Sequence, residues 1–229
     1  MARPARPEIR DALLDAAREA FARRGLAQAR VEDITRRAGV SKGAFYLHFR
    51  TKEDAFEEIV QRFLGALEDH ALRRREVEER LSREGVADLA RRIEAECASD
   101  VDLLEVMWRN RHIVAAVDGA SGSAYRGLVA DFGRRMRARV SSRIRDRRDA
   151  GELRPDVDPE VFADLVVGAY EGFARRMLDM KEKPDLAAWT RSLLLVLYEG
   201  VATPATRRRA RRGARAVPDP LVTKSGGRR

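Results

Sequence analysis

The residues best suited to chemistry gather in one stretch, Val31 to Phe49, and the chemistry they offer is recognition rather than bond cleavage. Lys42, Gly43 and Ala44 follow a Gly39-Val40-Ser41 turn, Tyr46 and His48 come shortly after, and Lys52 lies just beyond. Tyr46 and His48 end in hydrogen-bond donors that can reach phosphate oxygens, and Lys52 brings charge to the same neighbourhood. A glycine at position 43 lets a backbone come close to a partner. Elsewhere the chain carries no glycine-rich nucleotide loop, no metal-ligand spacing and no nucleophile motif. The single Cys97 implies neither an internal disulfide nor structural zinc. No cofactor or metal is expected. An enzyme reading therefore has only chance carboxylate pairs to draw on, among 37 acidic residues.

Positioning those side chains requires two short helices and a tight turn. Val31, Ile34 and Ala38 fall on one face of a helix from Val31 to Ala38, and Val40, Phe45 and Phe49 supply the opposing apolar surface. Gly39 can take the positive φ that the turn demands, and Ser41 can cap a second helix running from Lys42 to Phe49. Ahead of the pair, Pro7 near a helix start, then Ile9, Leu13, Ala16, Ala17, Ala20 and Phe21, read as a first helix that turns at Gly25. Behind it, Thr51 with Asp54 resembles a capping box and opens a long helix to about Arg75. Ala29-Arg30 offers no Ser, Thr, Asn or Asp to cap the first short helix, a loss of roughly 1 kcal/mol.

The rest of the chain also reads as all-α, dominated by Ala, Leu, Arg and Glu without two-residue alternation. Helices are expected from Ser82 to Ala98, Asp100 to Val117 and Ser121 to about Ala150. Asp158 caps another, with Pro159 in its first position, and a last one follows Asp185. From Thr203 the chain is Arg-rich, with prolines and glycines and no apolar period, and reads as a disordered tail. Charge divides along the same boundaries. Residues 1 to 52 carry twelve Lys/Arg against six Asp/Glu and residues 203 to 229 nine against one, whereas the middle carries 25 against 30. A basic head on an acidic body suggests a dedicated DNA-binding unit, not uniform coating of nucleic acid. The charged N-terminus and the shortness of the longest apolar run, Leu193 to Leu197, point to a cytoplasmic protein without a membrane segment.

The segment from about Ile9 through Ala17, Phe21 and Gly25, over Gly39-Val40-Ser41-Lys42-Gly43 and on to Lys52 and Glu53, resembles the DNA-binding head of the tetracycline-repressor (TetR) family. Gly151-Glu152-Leu153-Arg154-Pro155 is also similar to what precedes the penultimate helix in such regulators. The resemblance implies a three-helix DNA-binding head with a helix-turn-helix (residues 1–51), a larger helical ligand-sensing and dimerisation domain (52–202) and the basic tail (203–229). It implies that Lys42, Gly43 and Ala44 approach base edges and that Tyr46, His48 and Lys52 contact phosphate. Thr35 and Ser41 join them as candidate DNA contacts, and Arg30 is the candidate replacement for the missing Thr or Ser. The implied function is a DNA-binding regulator, most simply a repressor released from a near-palindromic operator by a small molecule.

In the middle of the chain Met107, Trp108, Arg109, Arg111, His112, Tyr125 and Phe132 combine bulk with polar tips, as ligand pockets do, and are the candidate effector contacts. Val161, Leu165, Gly168, Ala169 and Gly172, with Leu193, Val196 and Leu197, suggest a homodimer interface built as half of a four-helix bundle. A hairpin within one chain is the competing reading. A ligand-independent regulator, or an architectural DNA-binding protein using the Arg-rich tail, remains open as an alternative function.

Overall fold

The computed structural model describes residues 7–83, 89–119 and 123–201. These form nine helices in the order α1 (Pro7–Gln28), α2 (Val31–Ala38), α3 (Lys42–His48), α4 (Lys52–Arg83), α5 (Leu89–Arg109), α6 (Arg111–Gly119), α7 (Ser123–Asp149), α8 (Pro159–Leu178) and α9 (Leu186–Val201). No strand occurs among the described residues. The tail from residue 203, read as disordered, lies outside them.

Local chemistry sets most helix ends. The helical backbone of α1 is interrupted at Gly25, which takes φ 72°. Gly39 takes φ 69° after α2, and the Val40 N–H donates to the Thr35 carbonyl, closing the end of that helix. Ser41 Oγ accepts from the Ala44 N–H at 3.1 Å. Thr51 and Asp54 form the reciprocal box, each side chain accepting from the other's backbone N–H at 3.1 Å. Asp158 accepts from the N–H groups of Glu160 and Val161 at 2.8 and 3.2 Å. Arg30 begins α2 without any side-chain cap, so the loss inferred from Ala29-Arg30 is present in the structure.

Several expected boundaries moved, and Ser82, expected to open a helix, lies inside α4. The helix opened by Thr51 runs past Arg75 to Arg83, about 48 Å in all, held there by the i,i+4 pairs Arg74–Glu78 and Arg75–Glu79. No helix begins at Asp100. α5 continues through it to Arg109, because the Asp100 carboxylate accepts from Arg74 and from the Tyr170 hydroxyl instead of capping backbone N–H groups. The break comes at Asn110, and α6 follows.

One core runs through both ends of the molecule. Leu13, Leu14, Ala17 and Phe21 of α1, Ile34 of α2, and Phe45 and Phe49 pack with Phe56, Ile59 and Val60 of α4. The same cluster continues through Leu104, Met107, Ile113, Val117 and Tyr125 to Ala174 and Met177. α1 packs on α2, α4 and α6, α5 pairs with α4 and α9, and α7 with α8. Smaller clusters close the far end, Ile93, Cys97, Leu194 and Tyr198 in one and Ile144, Leu153, Val157 and Phe162 in the other.

Candidate nucleic-acid interface and ligand cavity

The N-terminus of α3 presents Lys42 and Gly43 to solvent, and Ala44 is half-buried behind them. A Cβ added to Gly43 would meet only Ser41 Oγ, at 3.8 Å. Internal packing therefore does not require glycine there, which leaves close approach from outside as the physical use of the missing side chain. Lys42 is paired with Glu32, and the hydrogen bond between them raises the lysine pKa and lowers that of the glutamate. Both are fully solvent-accessible, so the pair can be exchanged for another anion at little cost. Tyr46 and Leu47 are 51% and 60% exposed on the same short helix, while Phe45 is fully buried. Leu47 was missed in the sequence. An exposed apolar side chain beside a polar recognition surface has no signature when its helix is seven residues long.

Three expected contacts sit differently from their sequence reading. Thr35 is only 5% exposed and its hydroxyl donates to the Glu32 carbonyl, so it belongs to the interior of the head. Lys52 is folded back: its Nζ donates to the carbonyls of Ala27 and Ala29 at 2.8 and 3.0 Å, fastening the start of α4 to the segment between α1 and α2. His48 is half-buried, and its Nδ1 is buried without a hydrogen-bond partner. Arg30 is exposed, as a phosphate contact requires. Arg10 was not singled out, yet it lies over the Phe49 ring at 4.7 Å, pairs with Glu58 and donates to the His48 carbonyl, holding the end of α3 against α1.

A cavity of about 460 Å³ lies among α4 to α9. One side is apolar, walled by Phe63, Leu64 and Leu67 of α4, Met107 of α5, Ile113, Val114 and Val117 of α6, and Phe132 of α7. The other side is ionic. Arg74 reaches Glu78 at 3.1 Å, Glu96 at 2.8 Å and Asp100. Glu78 also meets Arg143 at 3.2 Å, Glu96 accepts from the Tyr198 hydroxyl, and Arg147 donates to Tyr198 at 2.8 Å. Burial by itself would lower the Arg74 and Arg147 pKa values. The carboxylates around Arg74, and Tyr198 with Glu96 around Arg147, outweigh it and keep both charged. Burial also works to raise Glu96, but Arg74 and Arg147 bring its pKa below the usual carboxylate range. Tyr170, pushed up to about 12 by burial, stays a neutral donor to Asp100.

Of the expected effector contacts, Met107 and Phe132 line the cavity. Trp108, Arg109, Arg111, His112 and Tyr125 are not among its walls. Arg111 lies over the Trp108 ring at 4.0 Å and donates to its carbonyl, Arg109 pairs with Glu105, and His112 is exposed. The His112 pKa is lowered by partial burial and by Arg111. Tyr125 is buried edge-on against Phe56 at 5.0 Å with its hydroxyl donating to the Glu53 carbonyl, which ties α7 to the start of α4. Of the expected dimer contacts, Leu193 and Leu197 turn inward to the cavity. Val161 and Leu165 are each 58% exposed and Val196 73%. Gly168 and Gly172 are exposed and Ala169 half-buried, and a Cβ on either glycine would meet nothing within 4 Å.

Residues 13–59, from α1 into α4, match the model of the bacterial regulatory proteins of the tetR family. That stretch contains the capped α3 and its flanking helices in the arrangement just described. Residues 13–59 are a TetR-family head. Beyond the head, the chain is 25% identical over 213 residues to the transcriptional repressor DhaR of Mycobacterium sp. (strain GP1), covering 86% of this chain and 94% of that one. Among solved structures, a transcriptional regulator of Rhodococcus sp. Rha1 superposes with a TM-score of 0.61 at 25% identity, over 85% of this chain and 98% of that one. The SmeT–triclosan complex, from the efflux-pump repressor of Stenotrophomonas maltophilia, superposes with a TM-score of 0.65 at 22% identity over 86% and 93% and shares the fold of this chain.

Proposed function

We propose that the protein is a homodimeric transcriptional repressor that holds a near-palindromic operator with two copies of α3 and releases it when a small molecule fills the cavity. The observation that carries this reading is a shared wall. α6 lines the cavity with Ile113, Val114 and Val117 and packs on α1 of the head, while α4 lines it with Phe63, Leu64 and Leu67 and begins at the head itself. The tetR-family match of the head supports the DNA-binding role, and the repressor DhaR and the triclosan-bound SmeT support repression and a small effector.

In this reading residues 1–51 are the head and 52–202 the sensing and dimerisation body. Lys42, Gly43 and Ala44 approach base edges, and Arg30, Ser41, Tyr46 and His48 meet phosphate. The two-fold contact is made by Val161, Leu165 and Val196 on the outer faces of α8 and α9, with Leu195, 42% exposed, beside them. The Phe173 and Trp189 rings, 5.0 Å apart, bring α8 and α9 into side-chain contact. The test is DNA binding at physiological salt to a site mapped by genomic footprinting. Preference over random DNA of ~10³ or more is expected of a specific regulator. Equal affinity for both would refute the reading.

A further inference from the structure

The walls of the cavity specify a ligand class. Three guanidiniums, Arg74, Arg143 and Arg147, and three carboxylates, Glu78, Glu96 and Asp100, line its ionic side. Each of the six has a partner within the protein: Arg74 on all three carboxylates, Arg143 on Glu78, Arg147 on Glu152 and Tyr198, and the Tyr170 and Tyr198 hydroxyls on Asp100 and Glu96. The cluster is thus neutral in sum and satisfied in detail. It leaves no cation to receive an anionic ligand and no carboxylate to receive a cationic one.

Among the described residues, one buried polar group on this cavity is left over. His70, one helical turn before Arg74 on α4, lines the cavity, is 3% exposed, and has a buried Nε2 with no hydrogen-bond partner. A buried nitrogen without a partner is unfavourable unless something supplies the bond. Burial, with the charges of Arg73 and Arg74, pushes its pKa down to about 4, so at neutral pH it is an uncharged imidazole. Next to it on α4 stand Leu67, Leu64 and Phe63, which continue into the apolar half. Arg126 and Arg175 also line the cavity but are exposed to solvent, and Arg137 is engaged by Asp164 and Glu171.

We infer that the cavity takes an uncharged, largely apolar molecule with a hydroxyl group, which forms its one buried hydrogen bond with His70 Nε2. This rests on the proposed function, in that the molecule is the effector of the repressor. A hydroxyl can donate or accept and so serves either tautomer of the imidazole. An anion of the same skeleton would lose its hydration and meet a neutral ring beside a cluster whose charges already cancel.

Three probes of one shape test the inference on the full-length protein at pH 7.5: 4-hydroxybiphenyl, biphenyl and biphenyl-4-carboxylate, titrated by quenching of tryptophan fluorescence. The hydroxyl compound is expected to bind at least tenfold more tightly than either of the others. His70→Leu is expected to bring the hydroxyl compound to within about twofold of biphenyl while biphenyl itself still binds, which shows the cavity intact. Equal binding of hydroxyl compound and parent, tighter binding of the carboxylate, or a hydroxyl preference that survives His70→Leu would each overturn the inference. Operator release is read separately by fluorescence anisotropy of labelled DNA. Hydroxyl-selective binding through His70 without release would overturn the regulatory reading and leave the ligand class standing.

Discussion

Replacing Arg74 by Met keeps most of the side-chain volume and deletes the charge at the centre of the ionic cluster. The three carboxylates it holds are unequal in what they would retain. Glu78 keeps Arg143 at 3.2 Å, and Glu96 keeps the Tyr198 hydroxyl and the field of Arg147. Asp100, with a side chain 1% exposed, keeps only the Tyr170 hydroxyl and loses the one cation bonded to it. An uncompensated buried charge of this kind costs about 3 to 5 kcal/mol, whereas removing a surface pair costs under about 1. For a chain of this size that corresponds to a fall of roughly 6 to 20 °C in Tm. The assay is urea unfolding by circular dichroism at fixed protein concentration and pH 7.5, with the m-value checked for constancy. Because the cost is assigned to Asp100, the double variant Arg74→Met/Asp100→Asn should recover all but about 1 kcal/mol of it. A single variant that loses less than 1 kcal/mol, or a double variant no better than the single, would refute the reasoning.

Four further outcomes follow from the structure. His70 has a folded pKa of about 4 against 6.5 in the open chain, so the folded state binds fewer protons between those values. Its contribution, about 3 kcal/mol, is complete above pH 6.5 and lost as the pH falls toward 4, and urea midpoints for His70→Leu should lack that part of the acid slope. Lys42→Ala should reduce the salt slope of operator binding by about one. Lys52→Met, whose ammonium is already spent on Ala27 and Ala29, should instead cost roughly 1 to 3 kcal/mol of stability and leave the slope unchanged. Val196→Asp puts a charge into the exposed apolar face of α9 and should convert the proposed dimer to monomer in sedimentation velocity with helix content retained, whereas an unaltered sedimentation coefficient would refute the proposed two-fold contact.

What could be read from the sequence was what neighbouring residues decide between themselves. Gly39, Ser41, Thr51 with Asp54, and Asp158 each act within four residues, and each does what its type predicts. Asp100 shows the opposite case. It had the look of a helix cap, but its partner Arg74 is 26 residues away, so the helix passes through it. Most of the effector candidates lie off the cavity walls for a related reason. Bulky polar-tipped residues were sought in one stretch, whereas the cavity draws its walls from six helices and its polar groups from α4, α5, α7, α8 and α9. A signal was nevertheless present in α4. Phe56, Val60, Phe63 and Leu67 follow helical spacing, and His70, Arg74 and Glu78 continue the same stripe with polar residues. Titratable side chains on a face that has been apolar for three turns are either buried and paired or aimed into a cavity, and here both occur. Thr35 and Lys52 were misread at the level of rotamer, since the backbone of each lies near the surface that was assigned and only the side chain turns away.

The continuity of the core bears on how a ligand could be felt at the DNA. A head joined to its body by one flexible strand could not register a change 20 residues away, but this head has no such joint. Phe56 of α4 packs edge-on against Phe21 of α1 at 5.3 Å and against Tyr125 of α7 at 5.0 Å, and the Tyr125 hydroxyl bonds to the Glu53 carbonyl in the first turn of α4. Lys52, one residue earlier, holds the carbonyls of Ala27, at the end of α1, and Ala29, just after it. α1 therefore cannot shift without α4, and neither can shift without α7 or α6. Close-packed contacts of this kind do not deform gradually, so a ligand that forces α4 and α6 apart must select a second packing of the whole set. Coupling of ~1 to 3 kcal/mol, enough for a 5- to 150-fold change in operator affinity, needs only that the ligand prefer that second packing by the same amount. The bond that His70 offers lies on the one helix common to the cavity and the head, so free energy gained there acts on the element whose position α3 depends on.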